Sequence, residues 1–242
     1  MVYIKVRLPR ETANNIPSGE LEKLVRERYS PPLPQGRVID LQPADGESLY
    51  RCQEHWIQYF NNINDPRRKK PITMISAPDV YKQGQEGDSL LTRSLRDSFE
   101  SWFITSTRES YEPGTLNARI VHDYGIIVVN PVSREVIVPV YNKVPLDKVL
   151  QDPQGVAYLQ AKFDTQDGSD DIARTLADLS KLRLNHITIW TPNQSSRADY
   201  QERATSFGLK RNRFRVSVSR VGDTYGQSRA VFLKPQKSIR KK

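Results

Sequence analysis

The longest unbroken aliphatic run in this 242-residue chain is four residues long, at 126–129. A bilayer span needs roughly 20 consecutive apolar residues, so no membrane segment is expected. Elsewhere apolar residues are interleaved with polar ones. Each element must therefore bury one face and leave the other polar. Hydrophobic residues make up 37% and aromatics 9% of the chain, spread along its length. That is enough for a folded protein with a proper core, as one large domain or two small ones. The N-terminus has no signal-peptide anatomy. A lone cysteine, Cys52, rules out an intrachain disulfide and a Cys-based metal site. His55, His122 and His186 are scattered without ligand spacing. No metal, cofactor or catalytic residue is assigned, and a reducing, cytoplasmic setting is expected.

Periodicity orders the chain. Val2, Ile4, Val6 and Leu8 alternate with Tyr3, Lys5 and Arg7, which predicts a half-buried strand. A helix over 19–29 follows, then a short strand at 37–41. Leu49, Cys52, Trp56, Ile57, Phe60 and Ile63 recur at helical spacing over 47–62. Cys52 is read there as a small core residue and His55 as the edge of the stripe. Residues 72–76 read as a strand and 78–87 as an exposed loop. Asp88 or Ser89 caps a helix whose stripe is Leu91, Leu95, Phe99 and Trp102. Strands are expected at 103–108, 118–123, 126–129 and 136–140, the third buried on both faces and the fourth pushed to an edge or bulge by Pro139. A helix ends around Phe163, and 164–168 is the candidate boundary. Ser169 caps a helix marked by Ile172, Leu176, Leu179 and Leu182. A strand at 186–191, a helix over 196–207 closed by Gly208, and strands at 213–221 and 229–233 complete the reading. The fold class is therefore α+β. A mainly antiparallel sheet with packed helices forms an N-terminal part (1–164). A smaller α/β, strand–helix–strand part (165–242) ends in a flexible tail at 236–242.

Charge is distributed unevenly. Residues 197–242 hold 13 of the 37 Lys and Arg and 3 of the 28 acids, a balance of +10. The first 196 residues balance at −1, so the whole net charge of +9 comes from the C-terminal end. A localised basic excess is the footprint of a polyanion partner, most often nucleic acid. In the strand 213–221, Phe214, Val216 and Val218 fall on one side. Arg213, Arg215, Ser217 and Ser219 fall on the other, a wet face that presents phosphate donors in a row about 7 Å apart. Arg211, Arg220, Arg229 and Lys234 extend the patch, and Tyr225 offers a ring for base stacking. Arg197 sits where a strand meets a helix N-terminus, a place that favours anions, but without the glycines of a nucleotide loop. Arg67 and Arg68, in a run of four bases, form a second basic loop.

These features point to a nucleic-acid-binding protein that contacts phosphates. RNA or single-stranded DNA is favoured over duplex, because no helix reads as a recognition helix. Other protein subunits are natural partners in a larger nucleoprotein complex; a membrane is not. Two rival readings stand beside it. One is a metal-dependent nuclease using Asp123 and Glu135 with Lys143 nearby. The other is a structural or assembly protein of a phage or multi-subunit particle.

Overall fold

The computed structural model describes residues 4–8, 38–43, 53, 56–57, 61, 73–99, 102–127, 129–192, 201–220 and 229–233. Among the described residues eleven strands join in one sheet: β1 (Ile4–Leu8), β2 (Val38–Pro43), β3 (Thr73–Met74), β4 (Phe103–Tyr111), β5 (Asn117–His122), β6 (Val132–Ile137), β7 (Val144–Pro145), β8 (Ile187–Ile189), β9 (Gln201–Lys210), β10 (Arg213–Arg220) and β11 (Arg229–Leu233). Their order is β1-β2-β11-β4-β9-β10-β8-β7. β3 adds to β11, and β5 and β6 branch from β4. The β1/β2, β8/β10 and β4/β11 pairs are parallel and the rest antiparallel, which bears out a mixed α+β protein with a mainly antiparallel sheet.

The fully described α-helices are α1 (Ala77–Gln85), α2 (Leu90–Phe99), α3 (Leu146–Val149), α4 (Pro153–Phe163) and α5 (Ser169–Ser180). They bury their apolar stripes against one side of the sheet. Tyr81 stacks on Phe163 at 4.7 Å, and Phe99 sits 4.7 Å from Phe214 and 5.6 Å from Phe103. Burying rings of this size stabilises by about 1.5–3 kcal/mol each. The cluster runs from Ile75 to Val216, so residues on both sides of position 164 share it. Gln53 approaches β4 from elsewhere, donating through Nε2 to the carbonyls of Thr105 (2.7 Å) and Thr107 (3.1 Å). Its two carbonyl partners belong to an irregularity in β4, where the register against β9 shifts between Ile104 and Arg108.

Several expectations change. Residues 78–87 are not a loop: Ser76 and Asp79 form a reciprocal capping box and Pro78 lies in the first turn, so α1 starts there. The helix expected over 196–207 is instead strand β9 from Gln201, paired on both edges with β4 and β10. Being central in the sheet outweighs local propensity. The strand–helix–strand unit thus becomes β8 followed by a β9–β10 hairpin, with β8 parallel to β10. Residues 126–129 are not a doubly buried strand. Asp123 (φ 52°) and Gly125 (φ 68°) turn the chain, leaving Ile126 buried and Ile127 63% exposed. Pro139 lies beyond the end of β6. Gly168, not Ser169, is the N-cap of α5. The helix expected at 19–29 and the tail at 236–242 lie outside the described residues, as do Cys52 and His55. No described helix is long and apolar enough to cross a membrane.

Candidate nucleic-acid interface

The β9–β10 hairpin closes on Arg211 and Asn212, with φ of 51° and 57°. Two consecutive positive φ values are the signature of a two-residue type I′ turn, whose twist matches the strands it joins. Asn suits that backbone and Arg does not, so Arg211 sits at the apex against its preference. Lys210 and Arg213 are direct cross-strand partners. Like charges on one rung repel, yet Lys210, Arg211 and Arg213 are all exposed. Among the described residues no carboxylate pairs with any of them. A rigid loop therefore holds three cations together, and an anion would relieve their repulsion.

Two rungs back, Arg215 faces Gly208 across the hairpin and Thr188 of β8 on its other side. Trp102 joins α2 to β4 with φ 52°. That backbone sends its side chain to the opposite side of the sheet from Phe103, which lies in the core. A Cβ on Gly208 would stand 2.2–2.5 Å from Cδ2, Cε2 and Cγ of the indole, so only glycine admits the ring there. The Arg215 guanidinium lies 5.7 Å from the ring centroid, at the outer limit of a cation–π contact. Trp102 and Arg215 are half-buried. Sequence periodicity puts Trp102 in the helical stripe with Leu95 and Phe99. The left-handed residue after the helix removes it, and no Gly or Pro marks the change.

The row of donors expected on β10 is only partly wet. Arg213 is exposed and Arg215 half-exposed, but Ser217 and Ser219 are 9% and 8% exposed, with Ser206 and Ser219 Oγ 3.3 Å apart. Arg220 and Arg229 are placed by backbone alone, opposite Arg203 and Phe103. Tyr225, Lys234, Arg197, Arg67 and Arg68 lie outside the described residues.

Three polar clusters inside the fold carry no sequence motif. Glu109, fully buried, receives the hydroxyls of Tyr111 (2.7 Å), Tyr158 (3.1 Å) and Thr205 (2.9 Å) and pairs with the fully buried Lys162 ammonium at 2.5 Å. Burial pushes Lys162 below the usual lysine range, against the pull of Glu109. Arg108, 1% exposed, donates through Nε to Gln53 (2.8 Å) and through Nη1 to Glu202 (3.0 Å), and lies over the Tyr124 ring at 3.8 Å. His122 lies 3.0 Å through Nε2 from the Ala161 carbonyl, so Nε2 carries the proton. Its Nδ1 then accepts from Thr107 Oγ1 at 3.1 Å, and burial lowers its pKa.

The carboxylates of the nuclease reading do not converge. Asp123 accepts from Ser106 Oγ at 3.0 Å. Burial, with the nearby Asp79 charge, raises it to about 6. Glu135 is exposed, opposite Arg119 and 3.6 Å from it in an ion pair, three rungs from the His122 end of β5. Lys143 is exposed beside β7. Among the described residues no group of three or more His, Cys, Asp or Glu is placed to hold a metal ion. Comparison with protein-family models, with curated proteins and with solved structures finds no match for this chain.

Proposed function

We propose that the protein binds nucleic acid through phosphate contacts made by its basic C-terminal part, residues 165–242, as one component of a nucleoprotein complex. The reading rests above all on the hairpin tip. Lys210, Arg211 and Arg213 are exposed, held at fixed spacing by a two-residue turn, and lack a described carboxylate partner. Arg215 continues the line two rungs away, about 7 Å along the strand. The 10-unit positive balance of residues 197–242 supports the same reading from the sequence side.

Neutralising four phosphates on a single strand gives a slope of about −3 in log affinity against log salt. The test compares the full chain with a triple variant, Lys210→Gln, Arg211→Gly and Arg213→Gln. Glycine keeps the left-handed apex unstrained. Fluorescent oligonucleotide binding should flatten by about 2 in that slope, since roughly 0.7 is lost per contact. An unchanged slope would refute the tip as the site, and no binding by the full chain near physiological salt would refute the function.

A further inference from the structure

We propose that Trp102, seated on Gly208 beside Arg215, is a stacking site for an unpaired base, which makes the ligand a single-stranded nucleic acid. This rests on the phosphate-binding reading above and adds the class of polymer to it. The first observation is the cost of the arrangement. A bulky residue in left-handed backbone is strained, and such outliers gather at binding sites. Glycine would relieve the strain at once, and Phe99 and Phe103 on either side already fill the core without Trp102.

The second observation is the ring's seat. The three indole atoms closest to a Cβ on Gly208 surround the ring fusion, so the ring covers Gly208 with its flat side. The residue stays half-exposed, with a guanidinium 5.7 Å from its centroid that can swing toward a phosphate.

The third observation is shared facing. Cross-strand partners point to the same side, so Gly208 with Arg215 and Lys210 with Arg213 present one surface. The ladder continues past β8, where the Trp190 amide donates to the Val216 carbonyl at 3.0 Å. That puts Trp190, two residues on from Thr188, on the same side. Its Nε1 donates to Asn142 at 3.2 Å, which fixes the ring, and it too is half-exposed. The surface thus offers two indoles beside a line of cations. Charge complementarity selects a polyanion, and flat aromatic rings select one whose bases are free to stack. A duplex keeps its base faces covered and would meet only the cations.

The experiment measures binding of 15-nucleotide oligo(dT) and oligo(U), and of a duplex of the same length, with indole emission followed in parallel. The proteins are the full chain, Trp102→Gly, which suits the left-handed backbone, and Trp102→Phe, which keeps a ring. Either single strand should bind more tightly than the duplex and quench indole emission. Trp102→Gly should weaken single-strand binding by roughly 5- to 100-fold. Its salt slope and its duplex affinity should stay as they were, and Trp102→Phe should recover most of the loss. If Trp102→Gly and Trp102→Phe both bind single strands as the full chain does, or lose single strand and duplex equally, stacking at Trp102 is overturned. In that case a steep salt slope that flattens in the hairpin-tip variant leaves the phosphate reading standing. Failure of the full chain to bind any of the three polymers overturns both.

Discussion

Replacing Asp123 by Asn should stabilise the protein at neutral pH and change little near pH 4. Asp123 follows β5 in left-handed backbone, a conformation Asn adopts as readily as Asp. Its carboxylate is half-buried and takes one hydrogen bond, from Ser106 Oγ, which an Asn carbonyl can take equally. Burial is the main force raising its pKa from 3.8 to about 6, and the Asp79 charge adds to it. Between those values the folded state holds a proton that the unfolded state has lost, so stability falls as pH rises through this window. Above about 6 the full cost of the buried charge is felt. A shift of about two units at 1.36 kcal/mol each puts that cost at no more than about 3 kcal/mol. His122 runs the other way: its folded pKa is depressed below 6.5, so its share of stability is lost as pH falls through that value. Subtracting the wild-type curve from the Asp123→Asn curve cancels the His122 contribution. Urea denaturation from pH 4 to pH 8 should show a difference near zero at the acid end, rising through pH 5 and reaching a plateau above pH 7. A difference independent of pH, or an Asn variant less stable at pH 8, would refute the argument.

Two more perturbations probe the interior. Lys162→Met strands the buried Glu109 carboxylate and should cost about 3–5 kcal/mol, whereas pairing it with Glu109→Gln removes both charges and should restore most of the loss. Chemical denaturation of the four proteins measures the coupling, and simple additivity would contradict the ion pair. Gly155→Ala should lower the melting temperature although it lies inside α4, where alanine ordinarily gains about 1 kcal/mol. Its Cβ would stand 2.3 Å from the Val149 carbonyl and 2.5 Å from the Tyr141 hydroxyl, and relieving such overpacking costs about 1–3 kcal/mol. A rise in melting temperature would show that the α3–α4 joint yields.

The elements that periodicity locates best are those with one dry face. Ile172, Leu176 and Leu179 mark α5 because a single stripe enters the core, and Phe214, Val216 and Val218 mark the dry side of β10 for the same reason. Misreadings cluster where tertiary pairing decides. β9 contains Gly208, which the sequence reads as the residue that closes a helix over 196–207. With β4 on one edge and β10 on the other, its backbone has ladder partners that no local rule can anticipate. α1 was legible in principle, since Ser76 and Asp79 stand at capping-box spacing, but Gly84 and Gly87 read as loop residues. Glu109 shows the same limit inside the core. Counting by twos from Phe103 puts it on the dry side of β4, and a dry carboxylate demands a partner. Which of the chain's many lysines answers is set by how α4 crosses the sheet, not by spacing.

The candidate site divides along the same line. Alternation along β10 correctly separates Arg213, Arg215, Ser217 and Ser219 from the core-facing residues, but alternation supplies a period and says nothing about what lies over the second face. Toward the hairpin tip that face is open, and Lys210 and Arg213 are exposed there. Toward Ser217 and Ser219 it is covered, and the small hydroxyls serve as a packing surface rather than as phosphate donors. Arg215 and Trp102 sit where the open part passes into the covered part, which is why both are half-buried. A ring and a guanidinium at such a border are shielded enough to be held in place and open enough to be reached. The proposed binding surface therefore centres on the Lys210–Arg213 and Gly208–Arg215 rungs and on the indole of Trp102 beside them.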